Sequence, residues 1–400
     1  MSPRPPSPAA ARRHFAALWL AAFVLALAAV AAFTRLADPY GLYEGPRWTA
    51  FNALKARPDL TLGDIKLASA LRLRPDAVIL GNSRADIGFD PQSLAAHGWG
   101  ERPYNLAVPG SGIETNLHQL RTLLDQGVVP RRLLVGVEFL DYLERRGAGP
   151  GRALTQPRPW PERLLRLRLQ GLFTLTALKD SLATVAAQHR DDTPVLRGDG
   201  FNPLREYPTL ARKEGYFSLF RQRGLENARR LRDSRPPADW EDTHDYRALE
   251  RLLTLAAERD IRVDLVVYPY HAQVIGLFAR YDLLPAFAAW KSALVTLTDR
   301  RATAGTAVRL WDFSGLDERT TEAIPPRNDK QSVTRWYWEA GHFKAALGDE
   351  ILRRIREEAP AHRLAPPRQR PPDLAPTLDA LLSSRADLRD DLDQIVAMVQ

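Results

Sequence analysis

Two short segments at opposite ends of the chain carry the residue types that acyl chemistry needs. Gly81-Asn82-Ser83-Arg84 directly follows the apolar run Ala77-Val78-Ile79-Leu80. A serine on a tight turn after a strand projects its hydroxyl from the sheet edge, a good position for a nucleophile. It needs a base, and a histidine oriented by a carboxylate is the usual one. Far downstream, Trp338-Glu339-Ala340-Gly341-His342 supplies both. Glu339 and His342 are three apart, so on one helical turn they share a face. The pattern predicts a closing helix over 339–357.

Other residues compete for parts of the same chemistry. Tyr268-Pro269-Tyr270-His271 follows a strand-like run. His271 is therefore a rival base or a substrate contact, and Tyr270 a second contact. Trp336-Tyr337-Trp338 either forms a stacking platform for a sugar ring, with Trp338 as the contact, or wedges the closing helix into the core. Asp312 ends another strand and is the alternative acid for His342. Arg84 either binds a substrate carboxylate or phosphate, or pairs with Asp86 or Asp90. The histidines lack ligand spacing such as His-Glu-x-x-His, and no phosphate loop or dinucleotide fingerprint is present. Neither a metal nor a cofactor is expected.

These residues need a sheet to position them. Short apolar runs at 76–80, 102–108, 132–139, 263–268 and 308–313 read as strands. Helical periodicity appears at 90–97, 114–126, 245–260 and 283–298. Strands separated by helices imply a mostly parallel sheet covered on both faces, an α/β fold. Sites in such sheets lie at the carboxyl ends of the strands. Ser83, Gly110, Glu138, Tyr270 and His271 all sit near such ends. An insertion at about 143–243 is too long for a bare loop. It carries a helix-like basic stretch over 163–187 and an arginine-rich stretch over 221–235. These form a lid, a landing surface for an anionic polymer or lipid headgroups, or plain solvated faces. Residues 359–376 hold six prolines and read as a linker. Residues 377–400 follow as an amphipathic helix with three open roles: docking a protein partner, self-association or packing on its own domain.

Composition sets the outer limits. The chain has 400 residues, 45% hydrophobic, with no cysteine, which excludes disulfides and thiolate metal sites. A net charge of +8 suits nucleic acid, a membrane surface or an acidic glycan. No nucleic-acid motif accompanies it. Residues 15–33 form an uncharged apolar stretch close to the length that crosses a bilayer. Arg4, Arg12 and Arg13 precede it, so residues 1–36 read as a cytoplasmic tail and membrane anchor, with the remainder exported. Ala29-Val30-Ala31 keeps open a cleaved signal peptide.

Together these segments resemble the SGNH (GDSL-like) hydrolase superfamily over residues 70–357. They are similar in particular to its membrane-anchored bacterial envelope branch, with the alginate O-acetylation proteins and the D-alanyl transfer protein of teichoic acid synthesis. Gly81-Asn82-Ser83-Arg84 matches the first family block, with Asn for Asp. Asn105-Leu106-Ala107-Val108-Pro109-Gly110 matches the second, whose glycine donates a backbone N–H to the oxyanion. In the third, Gly136-Val137-Glu138-Phe139 has Glu138 where the family has an asparagine donor. Losing such a donor costs roughly 10²–10³ in rate, and Glu138 near Ser83 would oppose a developing negative charge. Glu339-Ala340-Gly341-His342 matches the last block, with Glu for Asp.

The resemblance implies a three-layer, flavodoxin-like sandwich around a mostly parallel five-stranded sheet, with residues 37–358 as one domain. It implies catalytic Ser83, His342 and Glu339, with the Ser83 and Gly110 N–H groups receiving the oxyanion. Arg84, Asn105, Tyr270, His271 and Trp338 are then the candidate substrate contacts. The activity implied is that of a serine esterase or O-acyltransferase in the bacterial inner membrane, its main domain periplasmic. Its partner would be a cell-envelope glycan or an acyl donor. A different class remains open: an inactive scaffold or glycan-binding protein of polysaccharide assembly, or a structural envelope protein.

Overall fold

A computed structural model describes residues 8–43, 45–58, 61–146, 157–364 and 373–400. The chain starts with α1 (Pro8–Ala37), β1 (Lys55–Ala56), α2 (Leu62–Leu73), β2 (Ala77–Leu80), α3 (Ser83–Gly88) and α4 (Pro91–Ala96). Then come β3 (Pro103–Asn105), α5 (Ile113–Asp125), β4 (Arg132–Val137), a 3-10 turn at Phe139–Asp141 and β5 (Glu144–Arg145). Next are α6 (Trp160–Phe173), α7 (Leu175–Ala187), β6 (Val195–Leu196), α8 (Tyr207–Glu214), α9 (Tyr216–Arg232) and β7 (Ser234–Arg235). α10 (His244–Ala257), β8 (Arg262–Val267), α11 (Ala272–Arg280), α12 (Leu284–Thr303) and β9 (Val308–Asp312) follow. The chain closes with β10 (Tyr337–Glu339), β11 (His342–Phe343), α13 (Ala345–Arg356), β12 (Arg363–Leu364), α14 (Ala375–Ser384) and α15 (Ala386–Ala397).

The chain divides into two compact units, residues 1–65 with 159–196, and residues 66–158 with 197–400. The insertion between β4 and β8 thus supplies helices to both. In the first unit, α1 contains an apolar span over Ala11–Ala37 long enough to cross a membrane. The helix predicted over 163–187 is broken at Thr174. That residue has an extended backbone and caps α7, its hydroxyl accepting from Ala177 N at 3.1 Å. A short polar side chain that captures a backbone N–H starts a new helix instead of continuing the old one.

The second unit is built on a six-stranded sheet in the order β12-β9-β8-β4-β2-β3, parallel except for β12. Val78, Ile79 and Leu80 on β2 are each fully buried. Consecutive strand residues point to opposite faces, so both faces of the sheet are covered. The sequence predicts five strands. The sixth, β12, is two residues of the expected 359–376 linker laid antiparallel on β9, with Arg363 opposite Trp311. A two-residue edge strand has no periodicity to betray it. Residues 365–372 of that linker lie outside the described residues.

Two other expectations are corrected. The predicted helix over 339–357 begins only at Ala345, and residues 337–343 form a β10–β11 hairpin with Glu339 opposite His342. Trp336-Tyr337-Trp338 is an aromatic run of high strand preference, and Gly341 sits in the tight connection. Residues 377–400 form two helices rather than one. Of the three open roles, α15 packs on its own unit, against α9 and α11. Leu388, Leu392 and Ile395 are buried there, and Asp391 accepts from Gln273 Nε2 at 2.7 Å. Gly224 and Gly276 make room: a methyl at either would overlap Ile395 or Leu392.

Leu392→Ala therefore lowers the unfolding free energy by about 2–5 kcal/mol, the usual loss for a buried leucine. Urea denaturation of the monomer measures it. A helix reserved for a partner protein would leave monomer stability unchanged.

Candidate active site

Ser83 begins α3 immediately beyond the carboxyl end of β2. Gly81 permits the sharp turn, since a side chain there would collide with the Tyr268 hydroxyl and Ala85. Asn82 caps α3, its Oδ1 accepting from Arg84 N at 3.0 Å. The Ser83 hydroxyl lies 2.7 Å from His342 Nε2. His342 Nδ1 is hydrogen-bonded to Glu339 Oε1 across the hairpin turn. Glu339 Oε2 accepts from Gly341 N at 2.5 Å, and Arg223 Nε stands 3.2 Å from Oε1. Ser83 and His342, 259 residues apart in sequence, thus join Glu339 in one continuous hydrogen-bonded chain. The sequence pairs the right residues but assigns them to the wrong element: a β turn, not a helix, brings Glu339 to His342.

Glu339 is almost fully buried. Burial pushes its carboxyl up, but the adjacent His342, Arg223 and the Gly341 N–H outweigh it and hold the group at about 2. The carboxylate is therefore ionised at neutral pH.

Glu138 stands just beyond the end of β4, also buried. It pairs with the Arg84 guanidinium and accepts from Asn82 Nδ2. Burial pushes the Glu138 carboxyl up, and the charges of Arg84 and Arg230 more than reverse this, leaving it below its ordinary value. Its negative charge is neutralised in place, so it does not act on Ser83 as a bare like charge. Arg84 in turn donates from Nε to Gly341 O at 2.6 Å and lies over the Tyr270 ring at 5.0 Å. Arg84 is thus committed to Glu138 and the hairpin, not to Asp86 or Asp90. Those acids bind Lys66 and Arg197 instead.

Gly110 has φ +70, a conformation that glycine adopts without strain. Its turn is tied to the end of β2 by Val108 N donating to Gly81 O at 3.0 Å. Gly110, Ser83 and His342 line one cavity of about 540 Å³.

Four expected substrate contacts are not brought to that cavity. Asn105 is fully buried and works as a brace, donating from Nδ2 to Ala85 O (2.8 Å) and Phe89 O (2.9 Å). Tyr270 is buried, its hydroxyl accepting from Phe139 N at 3.0 Å. His271 caps α11 through Nδ1, and its Nε2 meets Glu322 O at 2.8 Å. Burial pushes its pKa down to about 4, so it is a neutral structural imidazole and not the base. Trp338 lies against the Tyr207 ring with centroids 5.0 Å apart. Asp312, the alternative acid, pairs with Lys291 at 3.0 Å instead of reaching His342.

The opposite wall comes from residues with no motif. Arg223, Asn227 and Arg230 line the cavity from α9. Their i, i+4, i+7 spacing puts them on one face. Asn227 is nine-tenths buried, and its Nδ2 has no hydrogen-bond partner. Arg230 donates to Asp141 Oδ1 at 2.9 Å. Burial and the nearby Glu138 push the Asp141 carboxyl up to about 7, with Arg230 opposing. The arginine-rich stretch at 221–235 is the sequence signal for this wall, and it does not specify which face is used. Among the described residues no cluster of histidine, cysteine or acidic side chains is arranged to hold a metal ion. Comparison with known proteins finds no matching family model and no curated protein with significant similarity.

Glu339 carries a pH signature. A depressed carboxyl contributes stability that is present above its unfolded value, ordinarily near 4.3, and lost as pH falls through about 2. The stability difference between wild type and Glu339→Gln, from denaturant unfolding, therefore holds above pH 5 and shrinks between about 4.5 and 2. A gap that does not change with pH would contradict the assigned ionisation.

Proposed function

We propose that this chain is a membrane-anchored SGNH-like serine esterase or O-acyltransferase acting on acyl groups of a cell-envelope glycan. The observation that carries the reading is the Ser83–His342–Glu339 relay, with Ser83 Oγ 2.7 Å from His342 Nε2. Attack by Ser83 Oγ on an acyl carbonyl passes its proton to His342 Nε2. Glu339 holds the Nδ1–H and stabilises the imidazolium. The N–H groups of Ser83 and Gly110 receive the oxyanion. Collapse expels the alcohol, which takes the proton from His342 and leaves an acyl-Ser83 ester. Water or a glycan hydroxyl, deprotonated by His342, then releases the acyl group. Arg223 and Arg230, with Asn227 between them, give the cavity a polar wall with guanidinium donors suited to the oxygens of a sugar. The apolar part of α1 anchors the chain in the inner membrane, with Arg12 and Arg13 on the cytoplasmic side and the rest periplasmic.

A non-catalytic scaffold is the competing reading, favoured by Glu138 in the position of the family's asparagine donor. The Glu138–Arg84 ion pair weakens that objection.

Labelling the detergent-solubilised full chain with a fluorophosphonate, followed by peptide mass spectrometry, separates the two. Modification at Ser83 is expected, absent in Ser83→Ala and slowed by roughly 10³-fold or more in His342→Ala. An unlabelled wild type, or equal labelling of Ser83→Ala, sinks the hydrolase reading. Among esters that the wild type turns over, Asn227→Ala, which removes a polar residue of the cavity wall, raises KM for a hydroxyl-rich acetylated glycoside about fivefold, the worth of one hydrogen bond. It leaves 4-nitrophenyl acetate unchanged, and steady-state kinetics on the pair checks this.

A further inference from the structure

The α6–α7 hairpin of the first unit exposes apolar side chains that the protein does not cover. Leu165, Leu169 and Phe173 are 60%, 51% and 52% exposed, and their i, i+4, i+8 spacing makes them one stripe along α6. Leu175, at the turn into α7, is 85% exposed, and Leu182 is 57% exposed. Contiguous exposed apolar surface of this kind marks an interaction site.

The contacts of the hairpin with α1 and the segment after it show where that surface lies. At the tip, Thr34 Oγ1 donates to Leu172 O at 3.2 Å. One residue back, Gly171 packs against Tyr40 and Leu42. Further from the tip, Tyr43 OH donates to Arg168 O at 3.0 Å, and Arg163 pairs with Asp64. α7 repeats the order: Tyr40 OH donates to Asp180 at 2.8 Å, then Ala56 N to Thr184 Oγ1 at 3.3 Å. Partners therefore run from residue 34 at the tip to residues 56–64 at the base. The Phe173–Leu175 tip sits level with the end of the apolar span, and the two helices lead away from it.

Two further features fit an interface. Phe33, Phe51 and Trp48 form a chain of edge-on rings, with centroids 6.3 and 5.9 Å apart, and Trp48 is 46% exposed. Aromatic side chains concentrate at the membrane–water boundary. Arg166 and Arg168 are exposed on α6 beside the apolar stripe, placed to reach lipid phosphates while their stems lie along apolar surface.

We propose that the α6–α7 tip, with Trp48, is a second membrane-contact element, seated in the interfacial layer of the same bilayer that α1 crosses. This rests on the reading of α1 as a membrane span. Its consequence is that the first unit is held by a helix and a hairpin together, not by a single flexible tether.

The absence of cysteine allows a direct test with single labels on the full chain. Leu18→Cys, Leu175→Cys and Val333→Cys each carry a nitroxide, with the protein reconstituted in phosphatidylethanolamine–phosphatidylglycerol vesicles. Leu18 and Val333 are exposed residues of α1 and of the second unit. Relaxation by oxygen against a water-soluble nickel chelate is the readout. The oxygen-to-nickel ratio at positions 18 and 175 is expected to exceed that at 333 several-fold. A lipid-like signal at 18 with a water-like signal at 175 overturns the proposal while α1 stands as a span. A water-like signal at 18 removes the span and the proposal with it. Spin–spin broadening at 175 without oxygen access assigns the stripe to a second copy of this chain and overturns the proposal too.

Discussion

The buried guanidinium of Arg84 is the interaction on which the second unit's site depends. It neighbours Ser83 in sequence, and its Nε donates to Gly341 O in the turn that carries Glu339 and His342. It therefore ties the start of α3, where Ser83 stands, to the hairpin that carries His342, a link between residues 257 apart in the chain. A cation so buried is sustained only by a partner, and Glu138 supplies it from the end of β4. Burial alone would lower the Arg84 pKa, but Glu138 raises it, so the charge is permanent. Glu138 also orients Asn82, the cap of the helix that Ser83 begins. One ion pair thus links the ends of β2 and β4 with the β10–β11 hairpin.

That constraint makes sense of residues that look functional and prove structural. Tyr270 lies over the Arg84 guanidinium, and Asn105 ties the α3 backbone down from below. Beneath α3, Lys66 is fully buried against Asp86 and donates to Ala107 O at 2.7 Å. Polar groups this deep must be satisfied, and once satisfied they leave few alternative arrangements. The Ser83–His342–Glu339 geometry is held by a packed polar layer under it. The cavity above is lined by polar side chains of α9, Arg223, Asn227 and Arg230.

The two units divide the work. The second holds the parallel sheet and the relay at its carboxyl edge, where an α/β sheet leaves room for a ligand. The first holds the apolar span and the hairpin with its exposed leucines. The insertion between β4 and β8 contributes to both, giving α6 and α7 to one and the α9 wall to the other.

The strand–helix alternation, the apolar span and the pairing of Ser83 with His342 and Glu339 are legible in the order of residues. Each of these is local: a run of apolar residues, a turn after a strand, or an acid and a histidine three apart. Long-range packing sets what locality does not encode. It turned 337–343 into a hairpin, because Glu339 and His342 face each other across a two-residue connection as well as they would on a helix. It added β12, recognised only by its pairing with β9. It converted Glu138 from an apparent defect into the partner of Arg84, and it retired Asn105, Tyr270 and His271 into buried bracing. It also chose Asn227 from a helix whose sequence offers no motif. Whether a polar side chain faces a substrate or a buried partner depends on what the rest of the chain packs against it, and that is set by contacts between residues far apart in sequence.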